Sequence, residues 1–339
     1  MKKKILILIL LLLVQSCKSQ SKVNQKVIEN TKISKNWIKP PNLKKGDTIM
    51  LLTPASYLKD SIQSVNNALD SLKRWGLNYK LARHIFDKEG TFAGTDKERA
   101  ADFQKAIDNP NVKAIWCTRG GYGAVRMVDK IDFTALQKNP KWIIGYSDVT
   151  AIHNEIHNNG VQSIHGVMPV NFKIASEKKL KAINSFKNTL FGIKNKYEIE
   201  SSTYNKEGIT QGVLVGGNLT LLHTMLGSKT SIKTENKILF IEDVGEKKYH
   251  IDRMLYSLKR AGYFEKCNGL IVGGFTEIKE SEPVFAKNVE EIIVNILKEY
   301  DFPILFNFPA GHQIDNRALI MGAEVKLRVE KDKAILEFL

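Results

Sequence analysis

The apolar run Trp142-Ile143-Ile144 ends on Gly145, and Tyr146-Ser147-Asp148-Val149-Thr150 then opens a segment with helical spacing. A strand that turns sharply into a helix lifts a serine Oγ above the sheet edge, and the helix N-terminus offers free N–H groups to an oxyanion. Ser147 is therefore a candidate nucleophile for acyl transfer. The G-x-S-x-G elbow is incomplete, because Val149 stands at the second glycine position, and a plain N-cap is the competing role for Ser147.

A nucleophilic serine needs a base, and the chain has seven histidines. His312 is the most suggestive, in the Pro/Gly loop Phe308-Pro309-Ala310-Gly311-His312 after the apolar residues 304–306. A third group must orient that imidazole, and Glu242-Asp243 directly follows the apolar run 238–241. The competing role for that pair is a solvated charge opening the next helix. His153 and His157, at i and i+4, share one helix face as a metal pair would. The zinc-peptidase pattern wants glutamate right after the first histidine, whereas Asn154 holds that place and Glu155 comes one later. No metal is expected.

Two glycine turns complete the candidates. Thr118-Arg119-Gly120-Gly121-Tyr122-Gly123 follows the apolar run 114–117 and enters a helical pattern, the arrangement that cradles phosphates or an oxyanion. It fails as a dinucleotide fingerprint, since Arg126 stands where the third glycine belongs. A tight turn without further role is the alternative. Gly216-Gly217-Asn218-Leu219 follows a strand at 213–215, and Asn218 reads equally as a substrate contact or as an N-cap.

The elements that position these residues suggest two domains. From Asp47, short apolar runs alternate with amphipathic stretches: 48–52 then 61–75, 112–117 then 124–130, 142–145 then 149–157. That alternation predicts a parallel α/β sheet over residues 41–170. A lysine-rich stretch follows, and residues 171–205 are expected to be a linker. Residues 206–339 then mix strands near 213–215, 238–241, 270–272, 325–329 and 334–338 with helices at 249–260 and 286–300, closing on a hairpin around Glu330-Lys331-Asp332-Lys333. About 300 residues also exceed a typical single core.

Lys2-Lys3-Lys4 precedes the apolar run 5–14 and Gln15-Ser16-Cys17. The run is about half of the roughly 20 residues a spanning helix requires, so residues 1–17 read as an export signal. A small residue directly before Cys17 resembles a lipobox, which makes Cys17 the lipidation site, and residues 18–40 read as a flexible tether. The expectation is an exported lipoprotein held at a membrane and facing the periplasm or cell envelope. Losing the signal takes 51 basic residues to 48 against 36 acids, leaving a net charge near +12 that favours anionic, carboxylate-rich partners. No basic-aromatic stripe for stacking bases is present, so nucleic acid is not expected as a partner. Cys117 and Cys267 are the remaining cysteines, both beside apolar runs, and are expected to be buried free thiols.

Taken in order, these segments resemble the LD-carboxypeptidases, a serine peptidase family that includes muramoyltetrapeptide carboxypeptidase. The resemblance runs from Lys44 to the C-terminus. It rests on Gly46-Asp47 with Thr53-Pro54-Ala55-Ser56, Arg119 to Gly123, Gly145 to Asp148, Gly216 to Leu219, Glu242 to Gly245 with Ile251-Asp252-Arg253-Met254-Leu255, and Gly311-His312. It implies Ser147 as nucleophile, Glu242 as the acidic triad member and His312 as general base. It also implies an N-terminal α/β domain and a C-terminal mixed domain with the active site in the cleft between them. The reaction implied is removal of a terminal D-alanine from a peptidoglycan tetrapeptide, through an acyl-enzyme and without cofactor. Backbone N–H groups of Gly121 and Asp148 would form the oxyanion hole, and Arg119, Gly217 and Asn218 would contact substrate. Relatives that hydrolyse microcin C-like peptidyl nucleotides, and a catalytically silent wall-binding lipoprotein, are the alternative functions. A homodimer is left open.

Overall fold

The computed structural model describes residues 37–59, 61–173 and 176–339, so Cys17 and most of the expected tether lie outside it. Among the described residues, the strands are β1 Thr48–Leu52, β2 Asn78–Leu81, β3 Val112–Cys117, β4 Trp142–Gly145, β5 Ser163–His165, β6 Lys196–Glu200, β7 Gly208–Asn218, β8 Lys237–Val244, β9 Gly269–Thr276, β10 Ile304–Leu305, β11 Leu319–Met321, β12 Glu324–Val329 and β13 Lys333–Phe338. They form two sheets, ordered β11-β5-β4-β3-β1-β2 and β10-β9-β8-β7-β12-β13-β6.

The first sheet is parallel from β5 to β2. Apart from Thr48 and Lys113 near their starts, its central strands β1, β3 and β4 are apolar because both faces are covered. Ile49 and Leu51 join one buried cluster with Trp116 and Trp142, while Met50 and Leu52 join the other with Ile115 and Ile143. Helix Ile62–Arg74 buries Val65, Ala68, Leu69 and Leu72, the i, i+3, i+4, i+7 stripe of an amphipathic helix. The second sheet is mixed. Strands β10, β9, β8 and β7 run parallel, whereas β12, β13 and β6 add antiparallel pairings.

Three expectations about the chain's organisation need correction. Residues 171–205 are no free linker: helix Glu177–Leu190 puts Ala182, Ile183, Phe186 and Leu190 into the core under the first sheet, with the Phe186 ring 5.1 Å from that of Trp116. Its lysines mask this stripe in the sequence, and β6 after it edges the second sheet. The tether gives way to structure before residue 41. Ile38 N–H donates to the Gly160 carbonyl at 2.7 Å, and the Trp37 ring packs edge-on against His157. Finally, β11, from the chain's last quarter, returns to the first sheet and pairs antiparallel with β5, Leu319 opposite His165. Among the described residues, no helix is long and apolar enough to cross a membrane.

Candidate active site

Ser147 sits at the end of β4 with φ 64°, a left-handed conformation that costs a non-glycine residue about 1–3 kcal/mol. It opens the 3-10 turn Ser147–Val149, which leads into helix Thr150–Asn158. The strained elbow is held by packing around it. A Cβ at Gly145 would lie 2.8 Å from Val149 Cγ2, so one glycine makes room for the valine that occupies the second glycine's place. His153 Nε2 lies 3.0 Å from the Gly145 carbonyl oxygen and donates to it. The Asp148 carboxylate turns inward and accepts from Ala124 N–H at 2.7 Å, tying the elbow to the glycine turn after β3. Burial pushes Asp148 up to about 6 even with these donors.

His312 reaches this serine from the other sheet. Its Nε2 is 2.9 Å from Ser147 Oγ, and its Nδ1–H donates to Glu242 Oε2 at 2.6 Å. The His312 backbone N–H donates to the same oxygen at 3.1 Å. Glu242 is fully buried in β8, where the pairing with β9 shifts register between Ile241 and Asp243. The close approach requires Gly311, since a Cβ there would fall 2.6 Å from Glu242 Oε2. Asn316 Oδ1 accepts from Gly311 N–H and Thr276 Oγ–H donates to the His312 carbonyl, which fix the loop. Burial disfavours the charged imidazole, but the charge and hydrogen bond of Glu242, with Asp243 and Glu277 farther off, outweigh it and raise His312 above its ordinary value. With Nδ1–H committed to Glu242, Nε2 presents its lone pair to Ser147. That tautomer can take a serine proton.

The glycine turn after β3 lies against the elbow. A Cβ on Gly120 would be 2.9 Å from Ser147 Cβ and 3.4 Å from Asp148 N. Among the described residues, neither Gly120 nor Gly121 N–H is engaged in a backbone hydrogen bond. Ser56, which carried no assigned role in the sequence, braces this turn: its N–H donates to Gly120 O and its Oγ accepts from Tyr122 N–H. Arg119 is half-buried beside it, one guanidinium nitrogen donating to Tyr57 O at 3.1 Å.

The other candidates take different places. Asn218 is buried, its Oδ1 capping helix Leu219–Thr224 and its Nδ2 donating to Asp243 at 2.9 Å. Gly217 closes against Thr150, whose Oγ1 accepts from Asn218 N–H. Both brace the seam between the sheets, a structural role beside the substrate contact expected of them. His153 and His157 stack on one helix face with both rings buried, and burial pushes His153 down to about 4. His157 Nε2 is 3.0 Å from Ser163 Oγ. Among the described residues, the trio with ligand atoms within 4.8 Å of one another is His84, Asp87 and Glu98, and Glu98 Oε2 there already caps a helix through Thr95. Cys117 and Cys267 are buried free thiols, and burial pushes Cys267 up to about 11.

The geometry has clear relatives. Residues 49–166 match the LD-carboxypeptidase N-terminal domain and residues 211–327 the LD-carboxypeptidase C-terminal domain. The chain belongs to the LD-carboxypeptidase family. It is a hydrolase of the serine carboxypeptidase type. A probable murein peptide carboxypeptidase of Bacillus subtilis is 33% identical over 88% of this chain and 94% of its own length. The crystal structure of a muramoyltetrapeptide carboxypeptidase from Oxalobacter formigenes superposes with TM-score 0.77 at 27% identity, over 86% of this chain and 98% of that one. The structure of MccF in complex with glutamyl sulfamoyl guanosine gives TM-score 0.78 at 21% identity, over 87% and 97%, a likeness of fold alone.

Proposed function

We propose that the protein is an LD-carboxypeptidase that removes the terminal D-alanine of a peptidoglycan tetrapeptide through an acyl-enzyme on Ser147. The observation that carries this reading is the continuous relay Ser147 Oγ, His312 Nε2, His312 Nδ1, Glu242 Oε2, at 2.9 and 2.6 Å. Ser147 Oγ attacks the carbonyl carbon before D-alanine while its proton passes to His312 Nε2. Glu242, buried and accepting from His312 Nδ1–H, favours the imidazolium so formed. The oxyanion lies toward the N–H groups of Gly121 and Asp148, which are fixed before the reaction and so need no reorganisation. On collapse the C–N bond breaks and His312 delivers its proton to the D-alanine nitrogen. Water then attacks the ester, loses a proton to His312, and Ser147 Oγ is released protonated. Arg119, with guanidinium donors beyond the one held by Tyr57, is the cation for the terminal carboxylate.

The residue pattern at Cys17 supports an exported, lipid-anchored enzyme acting in the cell envelope, where tetrapeptides lie on or are shed from the wall. Incubation of the purified protein with tetrapeptides bearing diaminopimelate or lysine at the third position, followed by mass spectrometry, tests the reaction. Tripeptide and free D-alanine are expected, and none from Ser147→Ala. Cleavage of a peptidyl nucleotide with tetrapeptides left intact would reassign the substrate, and inertness toward both would mark a wall-binding protein.

A further inference from the structure

Arg99 lies on helix Asp96–Asp108, outside every motif described above, and is 1% exposed. One of its terminal nitrogens donates to two backbone carbonyls from different turns, Pro54 O at 2.6 Å and Gly123 O at 3.0 Å. The other pairs with Asp96, and the guanidinium carbon lies 5.1 Å from the centre of the Phe92 ring. A Cβ on Gly123 would fall 2.7 Å from the guanidinium, so the turn is moulded onto it. Burying a guanidinium opposes folding unless its donors are satisfied. Here one terminal nitrogen is committed to the backbone of two loops and the other to Asp96, while Nε is buried without a partner among the described residues, so the contacts that offset the burial are those to the loops and to Asp96.

Those loops converge on the reacting serine. Two residues after Pro54, Ser56 N–H and Oγ hold Gly120 O and Tyr122 N–H. Directly after Gly123, Ala124 N–H donates to the Asp148 carboxylate, next to Ser147. Arg99 is thus the common anchor for the turns after β1 and β3, and through Asp148 for the elbow after β4. We propose that Arg99 is a positioning residue that sets the Gly120–Gly123 turn against Ser147, so that its free N–H groups face the oxyanion. This deepens the mechanism above and rests on it.

Because the oxyanion exists only in the transition state, misplacing its donors lowers kcat and leaves KM nearly unchanged. For Arg99→Lys, which keeps the charge but loses the fork, kcat should fall about 10- to 100-fold with KM within about twofold. Arg99→Ala should fall further and regain activity with added guanidinium at concentrations far below denaturing ones. Amide hydrogen exchange supplies a readout independent of turnover: residues 120–124 should exchange at least about tenfold faster in Arg99→Lys, with β8 unchanged. If the wild-type protein proves inert on tetrapeptide, the reading of the site fails while the exchange measurement still judges Arg99. An unchanged kcat, a loss confined to KM, exchange that quickens throughout the protein, or unaltered exchange at 120–124 would each overturn the proposal. Should Arg99 variants not fold, Asp96→Ala, which leaves one guanidinium nitrogen without its acceptor, must show the same kcat and exchange pattern in weaker form, and its absence would refute the idea.

Discussion

Replacing Glu242 by glutamine separates the two things a triad acid does, orienting the histidine and stabilising its charge. Both N–H donors of His312 converge on Oε2, and no protein donor among the described residues reaches Oε1. A glutamine in this pocket should therefore place its carbonyl oxygen at the Oε2 position, which keeps the Nδ1–H tautomer and loses only the charge. A hydrogen bond to a charged group contributes about 1.5–3 kcal/mol against about 0.5–1.5 for a neutral one, so two such bonds lose about 2–3 kcal/mol. At about 1.4 kcal/mol per tenfold, kcat should fall roughly 30- to 140-fold. Glu242→Ala removes the orienting acceptor as well and should cost about 10⁴-fold. The pH profile carries the sign. His312 must be neutral to act as base, and its pKa is raised, so the wild-type rate climbs through a limb above the ordinary histidine value of 6.5. Without the Glu242 carboxylate, burial is opposed only by the more distant Asp243 and Glu277, and the limb moves to lower pH. Measured from about pH 5 to 9 with folding checked by circular dichroism, the deficit of Glu242→Gln should shrink toward acid pH. A glutamine variant as inactive as alanine, with its limb unmoved, would show that the amide binds in the opposite sense and that the argument from Oε2 is wrong.

Other outcomes follow from the same geometry. Ser147→Ala and His312→Ala should each lower kcat by roughly 10⁴-fold or more, and the double variant should be little worse than the worse single one; losses that multiply in steady-state kinetics would show that the two do not act as a unit. Gly120→Ala would press a methyl group to 2.9 Å from Ser147 Cβ and should lower kcat at least about 100-fold with the fold retained, as activity and thermal melting would show together. Cys17→Ala should release the protein from membranes, because the lipidated cysteine supplies the apolar anchor; membrane association that persists in high salt would exclude lipidation there.

The residues of the proposed relay are legible because each stands where an apolar run stops. Ser147 follows β4, Glu242 comes near the end of β8, and His312 lies in a Pro/Gly loop. Their meeting was not legible in local pattern. The hydrogen-bonded pairs are 165 and 70 positions apart, and only strand order and register bring them together. Elements that escaped the periodicity reading did so for physical reasons. Strands β5 and β11 have three residues each, too few for an alternation to register, yet their pairing carries the last part of the chain back to the first sheet. Helix Asp96–Asp108 buries Ala100, Phe103, Ala106 and Ile107 among charges, and its clearest signal, the Thr95/Glu98 capping box, lies in a polar stretch. Arg99 was hidden with it, since nothing local marks a buried arginine as different from a solvated one.

The adjacent acids Glu242 and Asp243 show what strand geometry adds to a motif. Successive side chains on a strand point to opposite faces, so a Glu-Asp pair cannot serve one site with both carboxylates. Glu242 points toward His312. Asp243 points the other way, accepting from Asn218 Nδ2 at 2.9 Å, from Thr220 N–H at 3.0 Å and Oγ–H at 2.9 Å, and from Val244 N–H. Burial, and then the neighbouring Glu242 charge, push Asp243 up to about 6 despite those donors. The two carboxylates therefore divide the work: one holds the base, and the other fixes helix Leu219–Thr224 and, through Asn218 and Thr150, the helix that follows the nucleophile. Exchanging Asp243 for asparagine would disturb the support without touching the relay, which is why its effect belongs to stability and to the seating of Ser147 rather than to proton transfer.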